Sequence, residues 1–577
     1  MNYPKLRVLQ TSRQMVDTFK GYNHNLRIGD GEFFDMKNLT SDSYPVLSPR
    51  GKRGIYASPA SPTGLIAKDA LCYVDGTDLV INGYHIDMGL SDEPKQLVSM
   101  GAYVIILPDK KYINTENHND KGDIEASFTT NGKVSFTLCR LDSTEYVTDY
   151  PPSDTEPSGA KNMQLWIDTS STPHTLKQYS ESAGMWVSIA TTYVKISYPG
   201  IGTDFERYDG IEISGLTETE VSSLEGAAVV WEKGDDYIVV VGILDEVVGV
   251  ETPITISRKM PKMDFVIESE NRLWGCRYGI ANNGEIVNEI YCSKLGDFKN
   301  WSCFMSLSTD SYTASVGTDG AFTGAITHMG YPLFFKENFV HKVYGNYPAN
   351  FQIQTTACRG VQKDCHKSLA IVNETLLYKA RSGIMAYDGS LPTEASYALG
   401  NEAYSDAVGG SIGNKYYVSM KAVDEKYHLF VYDMAKGMWH KEDDLKVGQF
   451  CACRGELYAL SGKEIIAMLG TGIPDANDVE WMAQTGEIGI FSPDMKYISR
   501  LTVRLMLEPK ATCTFYAQYD FDSEWEPLFT LTGTDLRSFS IPIRPKRCDH
   551  MKLRIEGMGM AKIYSFTKTI EQGSELS

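Results

Sequence analysis

The sequence predicts an all-β chain, built mainly from the radial sheets of a β-propeller. Three observations carry this. Apolar runs are short, rich in β-branched and aromatic residues, and bounded by Gly, Asn and Asp turns. One block of three such runs recurs six times. No stretch carries a convincing long amphipathic helical period. A length of 577 residues, 42% hydrophobic with 34 tyrosines, exceeds what one core holds and excludes a disordered chain.

The recurring block begins at Leu71 (LCYVDGTDLVINGYHIDMG), Phe265 (FVIESENRLWGCRYG, then NEIYCS), Ile326, Leu369, Gly409 and Phe450. Each reads as a strand, a tight turn, a second strand centred on Leu-Tyr, Leu-Trp, Phe-Phe or Tyr-Tyr, another turn, and a third strand. The turns supply positive-φ positions that keep hairpins tight, and the paired aromatics fill space between stacked sheets. Second strands at Leu333, Leu376, Tyr416 and Leu457 recur about every 40 residues, near the period of four-stranded blades. The wider gap after Leu273 is filled by SLSTDSYTASVGTDGAFTG. Separate meanders or a pair of sandwiches would also give regular hairpins. About six blades are favoured because equivalent blocks around an axis leave fewer exposed edges.

Between the first block and the rest lies a stretch of different texture. Residues 141–260 hold 20 Asp and Glu against 7 Lys and Arg, and open on the Pro- and Ser-rich DSTEYVTDYPPSDTEPSGAKN. Two small β units are expected there in succession: LWIDTSSTPHTLKQYSESAGMWVSIA, then Tyr193 to Arg258. After Glu480 strict alternation takes over. Leu501, Val503, Leu505 and Leu507 face one way, Thr502, Arg504 and Met506 the other; Cys513, Phe515, Ala517 and Tyr519, then Met551, Leu553 and Ile555, repeat it. The expected organisation is an entry segment with the first blade or blades (1–116), acidic inserted β modules (117–260), the remaining blades (261–479) and a C-terminal antiparallel β-sandwich (480–577).

A net charge of -19 excludes sequence-specific DNA reading, which rests on clustered Lys and Arg. Eleven scattered cysteines lack the dense spacing of a disulfide scaffold and read as reduced thiols. The start, MNYPKLRVLQTSRQMV, carries Lys5, Arg7 and Arg13 and no apolar stretch of a secretory signal, so synthesis is expected to end in the cytoplasm. The greasiest run, Tyr237 to Val250, is broken by Asp245 and Glu246; no membrane anchor is expected.

Candidate chemistry is sparse. Gly409-Gly410-Ser411-Ile412-Gly413 spells a nucleophile elbow, but a strand former follows where a helix is needed. Cys451 and Cys453 alternate on a strand, and Cys358, Cys365 and His366 cluster without the paired spacing of a zinc site. Asp310, Asp319, Asp388 and Asp433 would serve a glycosidase only as an opposed pair, and Asp beside Gly is a common turn former. No phosphate loop is present, and the ten histidines are isolated. No catalytic residue, metal or cofactor is expected. Trp166, Trp186, Trp274, Trp301 and Trp439 could stack on sugars, although core packing is their commoner role; Trp166 and Trp186 of the insert are the candidate binding residues.

Two stretches carry a resemblance. Asn271 to Gly275 (NRLWG) with NEIYCSKLGDFKNW ending at Trp301, and Phe33 to Gly54 (FFDMKNLTSDSYPVLSPRGKRG), resemble β-propeller tail proteins of bacteriophages. The family is the tail nozzle, or packaged-DNA stabilisation protein, of short-tailed phages and related prophage minor structural proteins. The resemblance implies a virion tail component, made in the bacterial host cytoplasm and assembled as a homo-oligomeric ring, often six copies, around the DNA exit channel. Its implied partners are copies of itself, adaptor- or portal-side proteins, fibres, and phage DNA in transit without specific binding. It also implies that the chain is not an enzyme. An acidic or neutral lining suits that passage, because Lys and Arg would hold the phosphates. The acidic insertion departs from the pattern; its LWIDTS and GMWVSIA phrases look like modules of phage fibres and baseplates. Host-receptor or glycan binding is therefore the alternative, and a propeller-type glycoside hydrolase the second.

Overall fold

Turn chemistry and alternation build the elements of the computed structural model, which describes residues 11–281, 284–470, 477–491 and 494–572. Lys5 and Arg7 of the opening segment therefore lie outside the described residues, while Arg13 falls on the strand Thr11–Val16. The fold class is all-β, of the propeller type. Among the described residues the helical turns are short 3₁₀ segments such as Ser222–Leu224 and His366–Ser368, and no helix is long and apolar enough to cross a membrane. The chain divides into two units, one of Met1–Pro94, Phe335–Val340 and Thr356–Ser577, the other of Lys95–Phe334 and His341–Thr355.

In the first unit, four-stranded antiparallel sheets form from each recurring block. One runs Pro62–Ala67, Leu71–Asp75, Asp78–Ile81 and Tyr84–Asp87. Another runs Ala370–Val372, Thr375–Ala380, Gly383–Tyr387 and Thr393–Glu394, and a third Tyr404–Ile412, Lys415–Ala422, Tyr427–Asp433 and Met438–Lys441. The last block, Gln449–Cys453, Glu456–Ser461 and Glu464–Ala467, takes its fourth strand from Gly54–Ala57, far away in sequence. That borrowed strand ties the two ends of the blade series together. Neighbouring sheets pack face to face: Leu65, Tyr73 and Val80 against Leu460 and Ile465, and Tyr417, Leu429 and Val431 against Leu457 and Met468. Gln449 Nε2 donates to the Leu65 carbonyl (2.7 Å) while its Oε1 accepts from Leu65 N (3.1 Å). A side-chain amide thus stands in for the N–H and C=O of a missing strand.

The second unit repeats the device, Gln96 exchanging both bonds with Val266 (2.6 and 3.2 Å). Its sheets are Gln96–Met100, Tyr103–Leu107, Lys111–Asn114 and Lys121–Asp123, then Phe265–Ser269, Arg272–Ile280, Ile286–Cys292 and Tyr312–Ser315. Ile105 and Tyr112 of one pack on Val266, Leu273 and Trp301 of the other. The division of the chain falls within the sheet Gly324–His328, Tyr331–Lys336, Phe339–Tyr344 and Gln352–Ala357. The blade-type sheets among the described residues therefore number seven. The one beyond the six sequence blocks is Gln96–Asp123, whose second strand, Tyr103–Leu107, is aliphatic after its first residue and has no aromatic at its centre.

The inserted region, Ala126 to Arg258, is one sandwich with a smaller sheet nested in it, not two units in series. Its five-stranded layer holds Val134–Cys139, Tyr193–Ser197, Glu232–Gly234, Tyr237–Val241 and Val248–Val250. The four-stranded layer has the order Ala126–Thr129, Thr255–Arg258, Gly210–Ser214, Gly226–Val229. Phe136, Val194, Ile196, Ile238 and Val240 meet Ile211, Ile213 and Ile256 in a fully apolar core. Leu165–Asp168, Thr175–Ser180 and Met185–Ser188 make the nested three-stranded sheet. The Pro-rich stretch before it leads out of a strand of the sandwich, so composition flagged an excursion and not the module boundary.

At the C-terminus the 24-residue strand Lys496–Tyr519 buries Leu501, Val503, Leu505, Leu507, Cys513, Phe515, Ala517 and Tyr519, as its alternation requires. Near Leu507 its pairing passes from Ala561–Gln572 to Met551–Met558, while Glu526–Ile541 follows its other side. The expected boundary at residue 116 has no structural counterpart. Thr11–Val16 pairs with Ala561–Gln572, and Glu32–Lys37 with Glu480–Thr485, so the entry segment belongs to the C-terminal sheet.

Candidate functional site

The stretches that carry the resemblance occupy joints of the fold. In NRLWG, Arg272 is 2% exposed; its Nη1 donates to the carbonyls of Ser293 (2.9 Å) and Asp310 (2.6 Å), and its Nη2 to that of Ser308 (2.8 Å). Ser293 Oγ accepts from Leu273 N (3.0 Å), and Trp301 Nε1 donates to the Phe298 carbonyl (2.9 Å). A guanidinium with several rigid donors suits gathering the carbonyls of a long strand-free connection, which would otherwise be buried unpaired.

Asn300 of the same run reaches the insert. Its Nδ2 donates to Asp209 Oδ1 (2.8 Å) and its Oδ1 accepts from Gly210 N (2.8 Å). Asp209 in turn pairs with Arg258 Nη1, and Arg258 donates through Nε (3.3 Å) and Nη2 (3.2 Å) to the Ile124 carbonyl. Asp209, Arg258 and Asn300 are 2%, 5% and 1% exposed, so the ion pair is dry and both ends of the sandwich, Ile124 and Arg258, converge on it. A Cβ on Gly210 would stand 2.4 Å from the Ser302 backbone, which is why glycine begins that strand.

In the other unit, the arginines of SPRGKRG make a similar joint. Arg53 donates to Asp443 and Glu442 (2.6 Å each), and Arg50 lies 3.5 Å from Asp443 and 3.7 Å from Glu442. They border a cleft of about 530 Å³, at whose rim Lys37 pairs with Glu480 (3.1 Å) and Lys52 with Asp478 (3.0 Å).

Sequence-predicted site residues fall elsewhere. Trp166 (1% exposed) and Trp186 (6%) are core residues of the nested sheet, edge-on to one another at 5.4 Å. Trp166 Nε1 donates to Ser153 Oγ (3.0 Å), Lys177 covers its ring, and Tyr179 and Tyr150 enclose Trp186. Neither offers a stacking face; this corrects their reading as binding residues, because a small sheet has only its largest rings with which to fill a core. Asp310 accepts from Met305 N and Leu307 N and Asp388 from Ser390 N as turn formers, the buried Asp433 accepts from the distant Ser41 Oγ and from Lys436 Nζ, and Asp319 is exposed. Ser411 sits on the strand Tyr404–Ile412, followed by a hairpin. Burial pushes the thiol pKa up to about 12 at Cys451 and about 11 at Cys358, the reverse of what a thiolate ligand requires.

Sequence reasoning missed a pocket of about 190 Å³ beside Arg272, lined by Glu270, Trp274, Tyr331, Asn346 and Phe351. Trp274 and Phe351 meet at 5.0 Å and 68°, and the Arg272 guanidinium lies 5.7 Å from the Phe351 ring. Trp274 (3% exposed) and Arg272 are themselves buried, so Glu270, Tyr331 and Asn346 supply the carboxylate, the ring and the amide that would meet a small hydroxylated ligand. Glu270 is the carboxylate among the described lining residues, whereas glycoside hydrolysis by two acids needs a second about 5–9.5 Å away. The residues come from strands and turns of two sheets, so no sequence spacing signals them.

No family model and no curated protein matches the chain. Solved structures similar to it include the exo-β-1,3-galactanase of Phanerochaete chrysosporium (9% identity, 52% of this chain and 94% of that one, TM-score 0.22). The extracellular domain of a hybrid two-component system from B. thetaiotaomicron is 11% identical over 91% of this chain and 98% of that one, TM-score 0.24. Trypanosoma rangeli sialidase is 8% identical over 92% and 97%, TM-score 0.18. Two of these three are enzymes by name, and the expectation that the chain is not an enzyme is withdrawn. Likeness at this level transfers neither a substrate nor a catalytic residue.

Proposed function

We propose that the chain is an assembly component of a bacteriophage tail, a self-associating scaffold that carries the acidic sandwich on a rigid mount. The observation behind this reading is the placement of the resemblance-bearing side chains. Arg272, Ser293, Asn300 and Trp301 hold the connection and the root of the insert, and Arg50 and Arg53 hold the turn at Glu442 and Asp443. Such residues mark a shape that must be kept, and a mounted module is what a tail needs to meet fibres or a host surface. Light scattering and negative-stain images of the purified chain test it. Rings or defined oligomers are expected; a monomer at all concentrations refutes it.

A second reading, binding or cleavage of a glycan, draws on the pocket of Glu270, Tyr331 and Asn346. The names of the similar structures supply the first probes, β-1,3-galactan oligosaccharides and sialosides. Saturable binding or sugar release that Glu270→Gln reduces at least about tenfold would favour it; no effect of any such probe at millimolar concentration would dispose of it.

A further inference from the structure

The four-stranded layer of the insert ends on an edge. Gly226–Val229 pairs with Gly210–Ser214, and among the described residues no strand pairs its other side. Because Gly210 N donates to Asn300 and not across to Val229, the Gly210–Val229 pair is of the non-hydrogen-bonded kind. The N–H and C=O of Val229, and two residues earlier of Ala227, therefore point outward. Beside them runs a groove of about 370 Å³, walled by Leu224, Trp231, Val241, Phe304 and Met305. Phe304 is 56% exposed and Val241 48%, an apolar lining left open to water. The sandwich that bears it is acidic: residues 126–258 contain 20 Asp and Glu against 8 Lys and Arg.

An open edge with an apolar trough in a negative field fits an extended strand that alternates apolar and basic residues. The sequence of the chain carries that alternation at Lys5-Leu6-Arg7-Val8, ahead of the first described strand. Resting on the reading of the chain as self-assembling, we propose that this segment of a second copy adds to the edge at Gly226–Val229. Leu6 and Val8 share one face of such a strand and enter the trough, and Lys5 and Arg7 face the acidic sandwich. Linked from copy to copy, the contact is heterologous and builds a ring or a filament.

The test uses the full-length chain, a form lacking residues 1–10, and a synthetic peptide of residues 2–10 with a scrambled control. Light scattering is expected to find the assembly lost on deletion. The peptide is expected to bind the shortened form and to lose at least about tenfold in affinity against both Ala227→Pro, which blocks the outward N–H, and Phe304→Glu. Ala227 and Phe304 are exposed, and circular dichroism confirms that each variant is folded. Assembly that survives the deletion and both variants overturns this inference and leaves the assembly reading standing. Equal binding of the scrambled peptide overturns it as well, since charge alone would then account for the affinity. A full-length chain that never assembles overturns the reading beneath it, and the second-copy occupant with it.

Discussion

Removing the Arg258 side chain should loosen the insert at its root. Arg258→Ala leaves the Asp209 carboxylate, 2% exposed, with Asn300 Nδ2 and Glu206 N (2.9 Å) as its remaining donors and no cation. It also strips the Ile124 carbonyl of two guanidinium bonds. Breaking a buried ion pair from one side costs about 3–5 kcal/mol, mostly the desolvation of the charge left behind. At about 4 kcal/mol the opening equilibrium rises roughly a thousandfold, at about 1.4 kcal/mol per factor of ten. A chain of several units does not unfold in two states, so the proper readout is native-state hydrogen exchange in Gly210–Ser214 and Thr255–Arg258. Protection there should fall by about three orders of magnitude while the sheet Lys415–Ala422 keeps its own. The paired change Arg258→Met with Asp209→Leu should restore most of it, because no charge is then stranded. A loss below about 1 kcal/mol for Arg258→Ala would refute the reasoning, since a pair this dry cannot be removed from one side cheaply.

Trp166→Ala should cost about 3–5 kcal/mol of the nested sheet's stability, read as loss of near-ultraviolet dichroism, because the ring is core and not a sugar platform. Gly21→Ala should destabilise the first unit by more than about 2 kcal/mol in urea titration: φ is +82° there and a Cβ would lie 2.3 Å from the Trp439 carbonyl oxygen. His440, 3% exposed and faced by Lys415, Lys436, Asp433 and Asp42, has its pKa pushed down to about 3 by burial. The folded value lies below the ordinary 6.5, so this contribution is complete above pH 6.5 and declines as pH falls toward 3; His440→Gln should flatten that part of the acid limb in urea midpoints taken from pH 8 to 4. Cys292 and Cys303, fully buried with thiol pKa values raised by burial to about 12 and about 11, should resist iodoacetamide at pH 8 until the chain is denatured, as mass spectrometry would report.

The candidate site was harder to read in the sequence than the blades. Asn300 and Trp301 stood out as part of a motif, yet nothing local assigned Asn300 to Asp209, 91 positions away. The tryptophans of the insert drew attention as large rings near turns, and only their neighbours decide whether a ring is a platform or a core. The pocket of Glu270, Tyr331 and Asn346 assembles from two sheets, and each residue in its own local sequence is unremarkable.

What the sequence by itself determined is everything set within a few residues: hairpins where Gly, Asn and Asp allow positive φ, the all-β class, and the buried face of Lys496–Tyr519 through its period of two. What only the tertiary structure decided is pairing across long separations. Gly54–Ala57 closing the sheet of Glu464–Ala467, the nesting of Leu165–Ser188 within the sandwich, and Arg258 meeting Asp209 and Ile124 belong here. The reason is range. Steric and turn preferences act between chain neighbours and leave a mark on local composition, whereas the partner of a distant strand or a buried charge is chosen by what the whole packed chain brings within hydrogen-bond reach.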